Sequence, residues 1–225
     1  MKALRCFLLA LGLLHFGCEA GGADTNGVIN AWLGAQKGLR TWTADFTQTR
    51  KLKTLTQPLV APGHLWFAIP NRFRWELGVP AKTIAIREND QMYVIYPGLK
   101  RAERYPLGPR APGEWREAIA LLEAGFPHDR KELDQRFQIL ALEESNGAWE
   151  ITLQPSSAFA RRMMSEIHVG LNTNDFTLRS TELVFIDGSR MRTDFRNGRI
   201  NSGFDEAILE WKPTPDFKVT EPLSQ

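Results

Sequence analysis

Cysteine is nearly absent: the chain has two, Cys6 and Cys18, both near its start. Histidine is scarce as well, and His64, His128 and His168 fall too far apart in the chain to show metal-ligand spacing. No disulfide framework and no Cys- or His-based metal site is therefore expected. Charge of one sign is also lacking. The 28 Lys+Arg stand against 26 Asp+Glu, a net charge of +2, so no basic stripe marks a nucleic-acid binder. No internal apolar run reaches the roughly 20 residues that a membrane-spanning helix needs. A Gly-rich phosphate loop and a nucleophile elbow are both missing. Ser156-Ser157 has no nearby His or Lys partner, and Asp24, Asp45 and Asp205 form no dyad. No cofactor is expected, and a binding module is favoured over an enzyme.

What remains is an ordinary globular balance, 43% hydrophobic and 24% charged, in a chain of 225 residues. That is long enough for a real core. Aromatics are generous, with Trp 7 and Phe 13, and most fall in strand-like segments.

The first residues read as an address. Lys2 and Arg5 are followed by a short apolar run, Cys6 to Gly17, and then by Cys18-Glu19-Ala20. This order is that of a secretory signal peptide covering residues 1–20, with a second candidate cut after Ala23. A buried N-terminal helix and a lipid-modified Cys18 are the alternatives. His15 spoils the small-residue box that lipidation needs. Residues 21–225 then form one exported, nearly neutral domain without thiols.

Within it, Asp24 to Lys37 has a helical stripe (Val28, Ile29, Trp32, Leu33) with Asp24 or Thr25 as cap. Thr41 to Leu52 alternates, with Trp42, Ala44 and Phe46 on one face. Gly63 to Ile69 places Leu65, Phe67 and Ile69 together. After the Pro70-Asn71 turn, Phe73, Trp75 and Leu77 alternate with Arg72, Arg74 and Glu76. Lys82 to Arg87 and Met92 to Tyr96 continue as strands. A second helix is expected over Glu114 to Ala124, with Trp115, Ala118, Ile119 and Leu122 as its stripe. Further strands are read around Phe137 to Ala141, Trp149 to Leu153, Ile167 to Leu171, Phe176 to Ile186 and Met191 to Phe195. Asn146-Gly147 is a hairpin signal. Ser156 to Met164 reads as a short helix, and the Pro-rich tail around Trp211 as an edge or loop.

The inventory is mainly β with a few helices. A long twisted antiparallel sheet must pack on another sheet or curl. An unclosed barrel with helices across its mouth fits, enclosing an apolar cavity lined by Trp42, Phe46, Leu65, Phe67, Phe73 and Trp75. By pattern alone, the same residues filling a solid core is the default reading.

Three segments together resemble the LolA-like family of periplasmic outer-membrane lipoprotein carriers. They are Thr41-Trp-Thr-Ala-Asp-Phe-Thr-Gln-Thr, Gly63-His-Leu-Trp-Phe-Ala-Ile-Pro-Asn-Arg-Phe-Arg-Trp-Glu and Tyr93-Val-Ile-Tyr-Pro. The resemblance implies an unclosed antiparallel β-barrel, a half-barrel with a helical lid. It implies a periplasmic, monomeric carrier of acylated lipoprotein or lipid cargo. Its implied partners are an inner-membrane export complex and an outer-membrane receptor. It turns the apolar face into a cavity lined by Trp42, Phe46, Leu65, Phe67, Ile69, Phe73 and Trp75. One departure stands out. The family commonly carries an arginine just before the Pro of the second segment, where it bonds the lid, and this chain has Ile69 there. Arg72 and Arg74 fall on the opposite face by alternation.

Overall fold

The computed structural model describes residues 24–88, 90–107, 111–113, 125–127 and 129–223. The expected signal peptide and the expected helix at Glu114 to Ala124 lie outside the described residues.

Helix α1, Thr25–Gln36, begins where the Asp24 side chain accepts from the Asn26 amide at 3.2 Å. Its stripe of Val28, Ile29, Trp32 and Leu33 is buried. Eleven strands then follow in chain order: β1 (Thr41–Lys51), β2 (Leu59–Ala68), β3 (Arg72–Leu77), β4 (Thr83–Glu88), β5 (Gln91–Tyr96), β6 (Arg101–Pro106), β7 (Phe137–Ser145), β8 (Ala148–Pro155), β9 (Met164–Asn172), β10 (Leu178–Phe185) and β11 (Arg190–Ile200). A short β12, Lys218–Thr220, ends the series. Helix α2, Arg130–Arg136, precedes β7, and helix α3, Ala158–Met163, joins β8 to β9.

The twelve strands among the described residues form one sheet in the order β12-β6-β5-β4-β3-β2-β1-β11-β10-β9-β8-β7. Every neighbouring pair is antiparallel except β12 with β6, which is parallel. The two ends of the order, β12 and β7, stand apart, so the sheet is unclosed.

Both faces are used. One face carries the main core, in which strand residues such as Phe46, Ile151, Leu153, Val169 and Leu171 join Ile29 and Trp32 of α1 and Leu133 of α2. The other face carries a small second core of Ile86, Tyr93, Ile95 and Ala102. Trp211 and Phe217 of the C-terminal tail pack over it. Trp211 lies 5.2 Å from the Tyr93 ring and 5.5 Å from Phe217, centroid to centroid. Alternation therefore sends Ile84 and Ile86 under the tail, while Ala85 and Arg87 point the other way.

Several expected boundaries move. Strand β2 starts at Leu59, four residues before Gly63, and runs through Pro62. The proline reads as a breaker, yet β3 pairs only from Gly63 onward, so on that side its missing N–H removes no ladder bond. The Gly78 amide bonds to the Pro62 carbonyl at 2.7 Å instead. Strand β11 extends to Ile200, and Thr43, on the polar face by alternation, is buried beside a register shift between Thr43 and Asp45. Strand β6 escapes the periodic reading because Arg101, Glu103 and Arg104 mask a fully buried Ala102. Helix α2 escapes it because it is almost wholly charged. Its start is nevertheless marked by Asp129, whose side chain accepts from the Glu132 amide at 2.7 Å.

Gly63 shows how tightly β1 and β2 meet. It sits opposite Phe46, and a Cβ there would lie 2.1 Å from that ring and 2.3 Å from the Glu76 carbonyl oxygen. Only glycine lets Phe46 lie across β2.

Candidate functional site

Inside the curled sheet is a cavity of about 570 Å³. That lies within the ~300–1,000 Å³ span of small-molecule sites. One wall comes from β2 to β5, through Leu65, Phe67, Phe73, Trp75, Ala85, Met92 and Val94. The facing wall comes from β9 to β11, through Ile167, Leu178, Leu183, Met191 and Phe195. Leu39 and Lys37, just after α1, and Phe126 and Pro127, ahead of α2, border it.

Of the seven residues that the sequence nominates, Leu65, Phe67, Ile69, Phe73 and Trp75 come together on this lining. Trp42 and Phe46 do not. They are 4% and 2% exposed and stand behind the wall. Trp42 packs on Phe126 and Phe195 with centroids 5.3 and 5.0 Å apart. Phe46 packs on Trp75 at 4.0 Å and on Phe195 at 6.2 Å. Their role is to back the lining rings, which fixes ring orientation through tilted and edge contacts. Phe67 and Phe126 are stacked at 5.2 Å and 13°, bridging β2 to the approach of α2.

Ring packing leaves Phe67, Phe73 and Trp75 only partly buried, although they belong to the main core. Apolar faces of this size left open toward an internal space are what an apolar guest requires. Phe126 and Phe195 were missed from sequence. Phe195 shares a face with Met191 and Thr193 and pairs with Phe46 across the β1–β11 ladder, so strand pairing would have found it. Phe126 follows a Gly and precedes a Pro, which reads as a helix stop and hides its contact.

Polar groups on the lining are few. Gln36, Gln48, Asn71, Thr181 and Thr193 contribute small dipoles, and Lys37, Arg87 and Glu132 contribute charge. Burial first, and then the neighbouring Arg136, lower the pKa of the Arg87 guanidinium, with Asp90 opposing. An arginine remains cationic despite such a shift. Glu132 is held 2.9 Å from Arg136, one turn along α2. Among the described residues no group of His, Cys, Asp and Glu could hold a metal ion.

At the mouth, Ile69 is 43% exposed, and its amide donates to the Arg40 carbonyl at 2.9 Å. Arg72 and Arg74 are engaged elsewhere. Arg72 pairs with Glu206, and Arg74 pairs with Glu76 at 2.7 Å and donates to the Ile208 carbonyl at 3.3 Å. Both fasten the C-terminal tail on the outer face, so neither reaches the cavity mouth.

Comparison with known proteins agrees with this geometry. The family model described as "Outer membrane lipoprotein carrier protein LolA" matches residues 37–211. An outer-membrane lipoprotein carrier protein of Bordetella avium is 25% identical over 181 residues, 80% of this chain and 77% of that protein. One of Chromohalobacter salexigens is 27% identical over 135 residues, 56% of this chain. That alignment spans only 60% of the Chromohalobacter protein. An uncharacterized conserved protein of Thermus thermophilus shares the fold at a TM-score of 0.53 and 8% identity, covering 88% of this chain and 99% of its own. With the match extending from the end of α1 to the tail that caps the second core, the chain belongs to the LolA family of outer membrane lipoprotein carrier proteins.

Proposed function

We propose that this chain is a periplasmic carrier, not an enzyme, that shields the acyl chains of lipoproteins in its cavity. It takes them from an inner-membrane export complex and passes them to an outer-membrane receptor. The observation that carries this reading is the apolar hollow, with Phe67, Phe73 and Trp75 turned toward it and only partly buried.

The physical need is simple. Each exposed methylene of an acyl chain costs about 0.8 kcal/mol in water. A long chain therefore does not leave a membrane unaided on a useful timescale. A cavity lined with aromatics removes that cost during the aqueous crossing. Affinity must stay moderate, since a guest held too tightly is never released. Rearrangement of the segments beside the mouth, after α1 and ahead of α2, would let one hollow both shield and yield its load. Arg87 and Glu132 supply a polar spot where an ester or amide linkage could rest.

Ile69 favours a second reading. An apolar side chain stands at the mouth where the family resemblance implies a lid-bonding arginine. Cargo other than a lipoprotein, a lipid or an acylated pigment from a different exporter, would then be carried by the same cavity. Mass spectrometry of material co-purified from the periplasm separates the two. An acylated protein supports the first reading, and a free lipid or pigment supports the second. A fluorescent fatty-acyl probe that fails to bind the purified protein rules out both.

A further inference from the structure

The end of the sheet that carries the β1–β2 loop presents apolar and cationic side chains together. Strand register places Lys51 beside Arg190 and Arg50 beside Leu59. The Lys53 amide donates to the Ser189 hydroxyl at 3.2 Å, which ties the β1–β2 loop to the β10–β11 turn. The Ile186 amide donates to the Met163 carbonyl at 3.1 Å, which ties that turn to α3. One continuous rim results. Along it Leu55, Leu59, Val60 and Ile186 are 46%, 43%, 60% and 65% exposed.

The cations are interleaved with these side chains. Arg50, Lys51, Lys53, Arg161 and Arg162 are all exposed. Arg161 donates to the Pro155 and Ser156 carbonyls at 3.0 and 2.6 Å, which holds its guanidinium at the rim. Arg162 lies over the Phe159 ring at 5.5 Å. Within residues 50–60, 156–163 and 186–190 the acid is Asp187 alone, and Glu182 on β10 pairs with Arg190 at 3.5 Å. The opposite end is balanced: Lys37 and Arg40 stand against Asp90 and Asp175 in its connecting segments.

We propose that this rim docks on the surface of an anionic lipid bilayer. Leu55, Leu59, Val60 and Ile186 would enter the headgroup–acyl boundary, and the surrounding cations would meet the lipid phosphates. Leucine and valine tips ringed by Lys and Arg are the chemistry of interfacial attachment. The charge is complementary to anionic lipid and is felt within about a Debye length of it. The tips project from two separate connections, the β1–β2 loop with the start of β2 and the β10–β11 turn, with the cations of α3 beside them, which suits a fluid plane better than a folded partner. The proposal goes beyond the carrier reading and does not depend on what the cavity holds.

Flotation of the full protein with phosphatidylglycerol–phosphatidylethanolamine vesicles tests it. The wild type floats with these vesicles at low salt and stays behind with phosphatidylcholine alone, and the binding fades as salt is raised. Leu55→Glu combined with Val60→Glu, and separately Lys51→Glu combined with Lys53→Glu, each lower the bound fraction at least tenfold. Ile200→Glu, an exposed position at the opposite end, leaves it unchanged. Circular dichroism melts confirm that each variant folds. Absence of binding to anionic vesicles, rim variants that bind like wild type, or an equal loss in Ile200→Glu overturns the proposal. Uptake of an acyl probe, read on the same variants, stays at the wild-type level. Failure of that uptake in the wild type strikes the carrier reading and leaves the rim untouched.

Discussion

The two sides of the inner face of the sheet use the same alternating strands and end up differently filled. On β8 and β9, Ile151, Leu153, Val169 and Leu171 are fully buried, sharing their core with Ile29 and Trp32 of α1. On β2 and β3, Phe67, Phe73 and Trp75 remain partly open on an internal hollow. The filled side consists of aliphatic residues with no exposed surface, as in a close-packed interior. The hollow side includes flat rings propped on one another at 4.0 to 6.2 Å, and propped rings leave space between them. One side therefore supplies the stability that lets the other keep its rings open.

Leu153→Ala removes a fully buried side chain from the filled side and should cost about 2–5 kcal/mol of unfolding free energy, read from denaturant melts. A loss near zero would mean that this side is not the stabilising one. Gly63→Ala should cost about 1–3 kcal/mol by driving Phe46 off β2 and disturbing the lining ring of Trp75 that it backs. Both melting temperature and acyl-probe affinity should fall, because this glycine serves both sides. Phe73→Glu places a charge on the hollow lining. It should weaken acyl-probe binding at least tenfold, a change of about 1.4 kcal/mol, while melting shifts less than for Leu153→Ala. Equal uptake by wild type and variant would refute a guest at that position.

The smallest effect concerns acid. A hydrogen bond from Asn197, and then His64 at 2.6 Å, hold the Asp45 carboxyl below its ordinary pKa of 3.8. A depressed carboxylate lends stability above the unfolded-state pKa and loses it as pH falls through the folded value. Asp45→Asn should therefore leave the melt at pH 7 only slightly changed and should flatten its decline below about pH 4. The side chain is half exposed, so solvent screens the contribution.

Much of the filled side was legible in the sequence. Ile167, Val169 and Leu171 announce β9 by strict period, and Asn146-Gly147 marks the β7–β8 hairpin through two residues of positive φ, 52° and 71°. Asp24 announces α1 by the chemistry of its cap. The hollow was half legible. Alternation groups Leu65, Phe67, Phe73 and Trp75 correctly, but alternation reports a face and not a depth. It therefore could not separate those residues from Trp42 and Phe46 behind them. Depth is set by non-local neighbours such as Phe126 and Phe195, which meet the lining only once β11 has paired with β1.

The gap between β7 and β12 has a mechanical meaning. A closed barrel has its girth set by strand number and stagger, and widening it would tear ladder bonds. This sheet is a split hoop. Were it to hold the cargo proposed above, it would be free to flex at its seam, spreading around a thick guest and tightening around a thin one, with every strand still bonded to its neighbour.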